Sequence, residues 1–287
     1  MGTVSVESNA KINIGLNVLE KLENGYHRLE MIMVPINLYD RLEIKFSGEL
    51  GELIISSNKK DIPTGKENII YKIYNEFYKK IGIKKEKIEV NLIKNIPSQA
   101  GLGGGSSDGA FFLKELNCYY KNILKEEELL EIGLKIGADI PFFIINKPAL
   151  VKGIGEKIEV INIIKNFDII LIKPDFGVST KLAYENVLEQ DNMKISNIKK
   201  IIKGLKNDNL KLIVDNIENN LQQNMYKKSK DIRDFEKKLK DILDVRFNMS
   251  GSGSCYYILA RKDKSKNIEL KLKKEFPSYF ININEII

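Results

Sequence analysis

Residues 97–108 run Pro97-Ser98-Gln99-Ala100-Gly101-Leu102-Gly103-Gly104-Gly105-Ser106-Ser107-Asp108. Four glycines and two serines within seven positions do not fill a core. Glycine admits φ > 0 and lets a ligand approach the main chain closely. Beyond the loop, Ala110, Phe111, Leu113, Leu116 and Cys118 supply the apolar positions of a helix over 109–120. Before it, Ile88-Glu89-Val90-Asn91-Leu92-Ile93 reads as a strand. A glycine loop feeding a helix presents unpaired N–H groups and the positive end of a dipole, a site for an anion and most often a phosphate. The competing reading is a flexible Gly/Ser linker, but linkers seldom sit inside a strand-loop-helix unit.

The spacing excludes the two common phosphate cradles. A P-loop needs a lysine after its last glycine, and none follows here. A dinucleotide fingerprint needs G-x-G-x-x-G, and Ser106 stands at its last position. The stretch instead resembles the ATP-binding motif of the GHMP small-molecule kinases. Three further segments carry the resemblance in the family's order: Ala10-Lys11-Ile12-Asn13-Ile14-Gly15-Leu16 with Asn24-Gly25-Tyr26-His27-Arg28-Leu29, then Gly137-Ala138-Asp139-Ile140-Pro141-Phe142-Phe143, then Asn248-Met249-Ser250-Gly251-Ser252-Gly253-Ser254. Together they span almost the whole chain. The Gly101–Asp108 form looks most like the branch that phosphorylates the 2-hydroxyl of a cytidine diphosphate-linked polyol.

Composition bounds the class. A chain of 287 residues with 43% apolar content can bury one large core or two modest ones. No apolar run approaches the roughly 18 residues of a membrane span, and residues 1–7 lack the charged and apolar regions of a signal peptide. Cys118 and Cys255 lie far apart and read as buried free thiols, which suits a cytoplasmic location. One histidine and two cysteines exclude a Cys/His metal site. The net charge of +7 comes from 46 basic and 39 acidic residues. Lysines such as Lys227, Lys228, Lys237 and Lys238 alternate with Asp231, Asp234, Glu236 and Asp241, the pattern of a solvated face rather than a nucleic-acid patch.

Strand-like and helix-like runs alternate without a regular βαβ repeat, so the class is α+β. Strands are expected at 10–19, 29–37, 42–46, 53–56, 149–152, 168–172, 245–249, 255–260 and 280–283. Helices are expected at 68–81, 126–136 and 179–188. The resemblance implies a two-lobed GHMP fold with the active site in the inter-lobe cleft, an ATP-binding lobe over 1–155 and a second lobe over 156–287. It also implies ATP and Mg²⁺, a small-molecule substrate, no nucleic-acid or membrane partner, and a monomer or weak homodimer.

Phosphoryl transfer needs positioning, charge neutralisation and a group to take the hydroxyl proton. Asp139 is an acid set in an apolar segment, which is usually paired or functional; its structural alternative is a turn or cap before Pro141. Lys11 shares a strand face with Asn13, and a lysine near Asp139 would keep the carboxylate ionised; the alternative is a solvent-facing lysine. By resemblance Asp139 is the base, Lys11 its partner, and Asn13 and Gly137 meet substrate. Pro97, Gly101, Leu102, Gly103, Gly104, Gly105, Ser106 and Ser107 hold ATP, with Asn68 near the adenine or as a helix N-cap. Ser106 and Ser107 offer hydroxyls to phosphate or Mg²⁺, or cap the helix. Tyr26 and His27 match the cytosine-binding segment and Tyr184 the ring that stacks on its other face; each alone also suits a structural role. Residues 250–253 resemble the family's third glycine motif, an anion nest or a tight hairpin.

Overall fold

The computed structural model describes residues 2–190 and 192–287. The chain forms β1 (Gly2–Lys21), β2 (His27–Leu50), β3 (Leu53–Ser57), α1 (Ile69–Ile81), β4 (Glu86–Ile93), α2 (Gly104–Tyr119), α3 (Glu126–Ile136) and α4 (Ile140–Ile145). The hairpin β5 (Ala149–Gly153) and β6 (Lys157–Val160) follows, then β7 (Asp168–Lys173), α5 (Thr180–Tyr184), α6 (Ile198–Lys206), α7 (Leu210–Val214), α8 (Asn220–Lys228) and α9 (Lys230–Ile242). The chain closes with β8 (Asn248–Met249), β9 (Tyr256–Ala260), α10 (Lys262–Glu275) and β10 (Phe280–Asn284). The class is α+β, as expected.

Two compact units interleave along the sequence. One comprises residues 1–10, 38–96 and 103–146, and the other 11–37, 97–102 and 147–287. This differs from one boundary near residue 155, because β1 and β2 are long enough to carry the chain through both units.

In the first unit, β4 pairs antiparallel with the second half of β2 and parallel with β3. Helix α1 packs on α2 and α3, and α4 packs on the same two. Ile70, Ile73, Tyr74, Phe77 and Tyr78 form the buried stripe of α1, recurring at the three- and four-residue spacing of one helix face. On α2 the buried side is Ala110, Phe112, Leu113, Leu116 and Asn117. Cys118 is therefore exposed rather than buried, while Cys255 is buried as expected.

In the second unit, β10-β7-β9-β8 form an antiparallel sheet. Helix α10 packs on β7 and β10. The first half of β2 pairs with β5 and β5 with β6. In β1 the alternation is informative. Ile12, Ile14, Leu16 and Val18 fill the core on one face, and Lys11, Asn13 and Asn17 on the other are also buried. Burying such groups is costly unless they are partnered, so this face is built around polar contacts.

Candidate active site

In the first unit the site begins at the N-terminus of α2. Gly103, at φ +74°, caps the helix without a side-chain bond. The first intrahelical bond runs from the Ser107 N–H to the Gly103 carbonyl at 2.9 Å, so the N–H groups of Gly104, Gly105 and Ser106 have no helical partner. A Cβ on Gly104 would lie 3.1 Å from Ile96 and 3.3 Å from Asp40, whereas one on Gly105 would meet only Ile69, at 3.6 Å. The Ser107 hydroxyl is buried without a hydrogen-bond partner. Helix dipole and open amides together make an anion cradle.

Beneath this cradle lies an ionic cluster that sequence reasoning missed. The Lys94 ammonium donates to Asp40 and, at 2.5 Å, to Asp108. The Ser8 hydroxyl donates to Asp108 at 2.7 Å. Asp40 also accepts the Asn95 and Ile96 N–H groups at 2.6 and 2.8 Å. Burial pushes the Asp108 carboxyl up to about 6, against the pull of Lys94. Burial also opposes the charge on Lys94, but Asp108 and Asp40 outweigh it and hold the ammonium above its usual range. The cluster ties β2, the strand end before the glycine loop and the first turns of α2 together. Nothing in the spacing of Lys94 marks it among so many lysines.

Gly137 ends α3, and a Cβ on it would lie 4.0 Å from the Ser106 Oγ. The segment that carries Asp139 therefore runs beside the start of α2. Asp139 is half-buried at the N-cap position of α4 and makes no side-chain cap bond, which weakens the capping alternative. Asn68 caps α1, accepting the Ile70 N–H at 2.8 Å and donating to the Pro63 carbonyl at 2.6 Å. Its neighbour Ile69 is the side chain facing Gly105.

The second unit holds Lys11, Asn13 and the remainder of the glycine loop, because the loop passes from one unit to the other between Leu102 and Gly103. Lys11 and Asp139 thus belong to different units. The Lys11 ammonium donates to Asn13 Oδ1 at 2.6 Å, and Asn13 Nδ2 donates to Met31 Sδ at 3.1 Å. Met31, also missed from sequence, fixes which end of the amide faces Lys11. The main chain of Lys11 donates to the Leu102 carbonyl at 3.0 Å. Residues 250–253 form a turn against the same loop, with the Ser250 hydroxyl donating to the Gly101 carbonyl at 3.0 Å. Gly101 has φ +71°, and a Cβ there would lie 2.0 Å from the Ser250 carbonyl oxygen. Only glycine fits.

The His27 and Tyr184 rings also meet in this unit, with centroids 5.2 Å apart and planes tilted by 32°. Tyr26 is 58% exposed. Partial burial, then repulsion from Lys21, lowers the His27 pKa below its usual 6.5.

Known proteins resemble this chain in sequence and in fold. The family model "GHMP kinases N terminal domain" matches residues 68–147. A Fusobacterium nucleatum protein named 4-diphosphocytidyl-2-C-methyl-D-erythritol kinase is 46% identical over 93% of this chain and 91% of its own length. One of the same name from Clostridium acetobutylicum is 39% identical over 97% of this chain and 99% of its own. A crystal structure of 4-(cytidine 5'-diphospho)-2C-methyl-D-erythritol kinase superposes with a TM-score of 0.80 at 25% identity, covering 98% of this chain and 99% of that one.

Proposed function

The chain belongs to the GHMP kinases and, within them, to the 4-diphosphocytidyl-2-C-methyl-D-erythritol kinase family, and we propose that it moves the γ-phosphoryl group of ATP to the 2-hydroxyl of that substrate, a step of non-mevalonate isoprenoid precursor biosynthesis. The observation that carries the reading is the open N-terminus of α2; the buried Lys11–Asn13 pair on β1 supports it. The amides of Gly104, Gly105 and Ser106 take phosphate oxygens, and the α2 dipole offsets their charge. Asp139 removes the proton of the attacking hydroxyl, and Lys11 supports Asp139 and the charge of the transferring group. Asn13 orients the substrate, and Tyr26, His27 and Tyr184 bind cytosine.

Mg²⁺ suits this donor set. It binds through few protein groups and keeps waters and phosphate oxygens as its other ligands. Among the described residues no group of three carboxylate, histidine or cysteine side chains is placed to hold a metal, and the unpartnered hydroxyl of Ser107 is the oxygen we assign to it, beside Ser106. Bound there with the phosphates, the ion would neutralise charge on the transferring group.

The test is ADP release from Mg-ATP by the purified protein, with the diphosphocytidyl substrate, homoserine and mevalonate in parallel. Turnover with the first alone is expected. Turnover with another would keep the glycine loop but remove the cytosine pocket, and none at all would leave a nucleotide-binding protein without transfer. In the active enzyme Asp139→Asn should lower kcat by about 10²- to 10⁴-fold, the usual weight of a general base, with the KM for ATP nearly unchanged. Near-normal turnover would remove the base assignment.

A further inference from the structure

Asn219 and Gln222 stand outside every motif quoted above, yet they hold the turn at 249–251 by its main chain. Asn219 Nδ2 donates to the Met249 carbonyl at 2.8 Å and to the Gly251 carbonyl at 2.9 Å. Its Oδ1 accepts the Leu221 and Gln222 N–H groups at 2.9 and 3.3 Å, which caps α8. The amide therefore uses both of its donors and both acceptor positions. Gln222 Oε1 accepts the Met249 N–H at 2.8 Å, and its Nε2 donates to Glu236 at 2.9 Å. Both polar main-chain groups of Met249 and the carbonyl of Gly251 are thus gripped from the first turn of α8. Asn219 is buried and is tied to β1 through a bridge with Leu16 and through the bond from the Leu16 N–H to the Glu218 carbonyl at 2.9 Å.

What the turn touches makes the clasp matter. Gly251 has φ +54°, and a Cβ on it would lie 3.2 Å from Asn13 Oδ1 and 3.5 Å from both the Lys11 Nζ and the Gly101 carbonyl. The backbone of Gly251 is therefore one wall of the Lys11–Asn13 pair. We propose that Asn219, with Gln222 behind it, is a positioning residue for phosphoryl transfer, setting where Gly251 stands and so where the Lys11 ammonium is held. The proposal rests on the kinase function stated above. It follows from how sharply transfer depends on placement, since an ångström of displacement at a reacting group can cost a hundredfold in rate.

Asn219→Ser separates the two jobs of the residue. Serine is as good an N-cap as asparagine, but it cannot reach the two carbonyls with two N–H groups. In steady-state assays with Mg-ATP and the diphosphocytidyl substrate, kcat should fall by roughly tenfold to a hundredfold. The KM for the diphosphocytidyl substrate should stay within about twofold, because His27 and Tyr184 have no part in the clasp. Both are measured well below the melting temperature of the variant. A lowered Tm with kcat within about twofold of the wild type would overturn the proposal and leave Asn219 a structural residue only. Should Asn219→Ser not fold, Gln222→Leu keeps the cap and both Asn219 bonds, and frees the Met249 N–H and the Glu236 carboxylate, which keeps its bond from the Tyr256 hydroxyl. A fall in kcat of about threefold or more supports the proposal, and an unchanged kcat overturns it. Wild-type protein that does not turn over removes the kinase reading and the proposal together; an active wild type with an equally active variant removes the proposal alone.

Discussion

His27 is the only histidine in the chain, and partial burial followed by repulsion from Lys21 keeps its pKa below 6.5. The sign matters for recognition. A depressed pKa keeps the imidazole neutral at pH values where a free one is half protonated, and a neutral ring offers one donor and one acceptor to a pyrimidine edge. The KM for the diphosphocytidyl substrate should then be flat from about pH 8 to about 6.5 and rise only below that. His27→Ala should raise that KM about tenfold and abolish the acid rise, the scale of one lost hydrogen bond and a ring contact. A KM already climbing between these pH values would mean that the imidazolium is not excluded. At this scale the sequence was legible wherever chemistry conflicts with periodicity: Lys11 and Asn13 stand on a strand whose other face is all aliphatic. Lys94, Met31 and Asn219 were not, because a lysine, a methionine and an asparagine in this composition carry no signal until a partner distant in sequence meets them.

Helix α2 shows how an element departs from its sequence pattern. Periodicity places its start at residue 109, whereas the helix begins at Gly104. Glycine has a poor intrinsic helix propensity, but here the turn Gly104–Asp108 is held by tertiary contacts: Asp108 to Lys94 and Ser8, and Gly109 against Ile69. In the same way β2 is one strand of 24 residues rather than the two expected at 29–37 and 42–46. Asp40, which lies between those two expected strands, is buried and satisfied by Lys94 and two backbone N–H groups. Helix α4 escaped notice because six residues are too few for a period to show, and the helix expected over 179–188 stops at Tyr184, where Glu185 turns extended, at ψ 122°, and Asn186 then left-handed, at φ +53°. The two kinds of glycine in the loop now make opposite predictions. Gly105→Ala adds a methyl where only Ile69 is near, so Tm should be unchanged or slightly raised. The same methyl stands beside an open amide, and the KM for ATP should rise about tenfold or more. Gly101→Ala forces a side chain into a left-handed site and against the Ser250 carbonyl. It should cost at least 1–3 kcal/mol and lower Tm by roughly 3 °C or more. A Gly105→Ala enzyme with wild-type ATP affinity would remove the phosphate from the α2 terminus.

At the scale of the whole molecule, the family was legible because four motifs keep their order along the chain, while the division into units was not. The units interleave, with residues 11–37 and 97–102 grouped with 147–287. A boundary sought in composition finds only the change of pattern near residue 155, since no linker marks the crossings inside β1, β2 and the glycine loop. The surface lends itself to a prediction that belongs to no single residue. The net charge is +7, and both proposed substrates are polyanions. A diffuse positive field raises encounter rates at low salt and is screened within about 10 Å at 0.1 M. The contacts at the α2 terminus, by contrast, act at hydrogen-bond range and are little affected by salt. Raising KCl from about 20 to about 300 mM at fixed free Mg²⁺ should therefore lower kcat/KM for ATP by about threefold, with kcat within about twofold. Adding charges of one sign away from the site should move the first quantity and not the second. If kcat/KM stays level across that range, the lysine-rich helices act only as a solvated face, and capture of the nucleotide depends on the glycine loop alone.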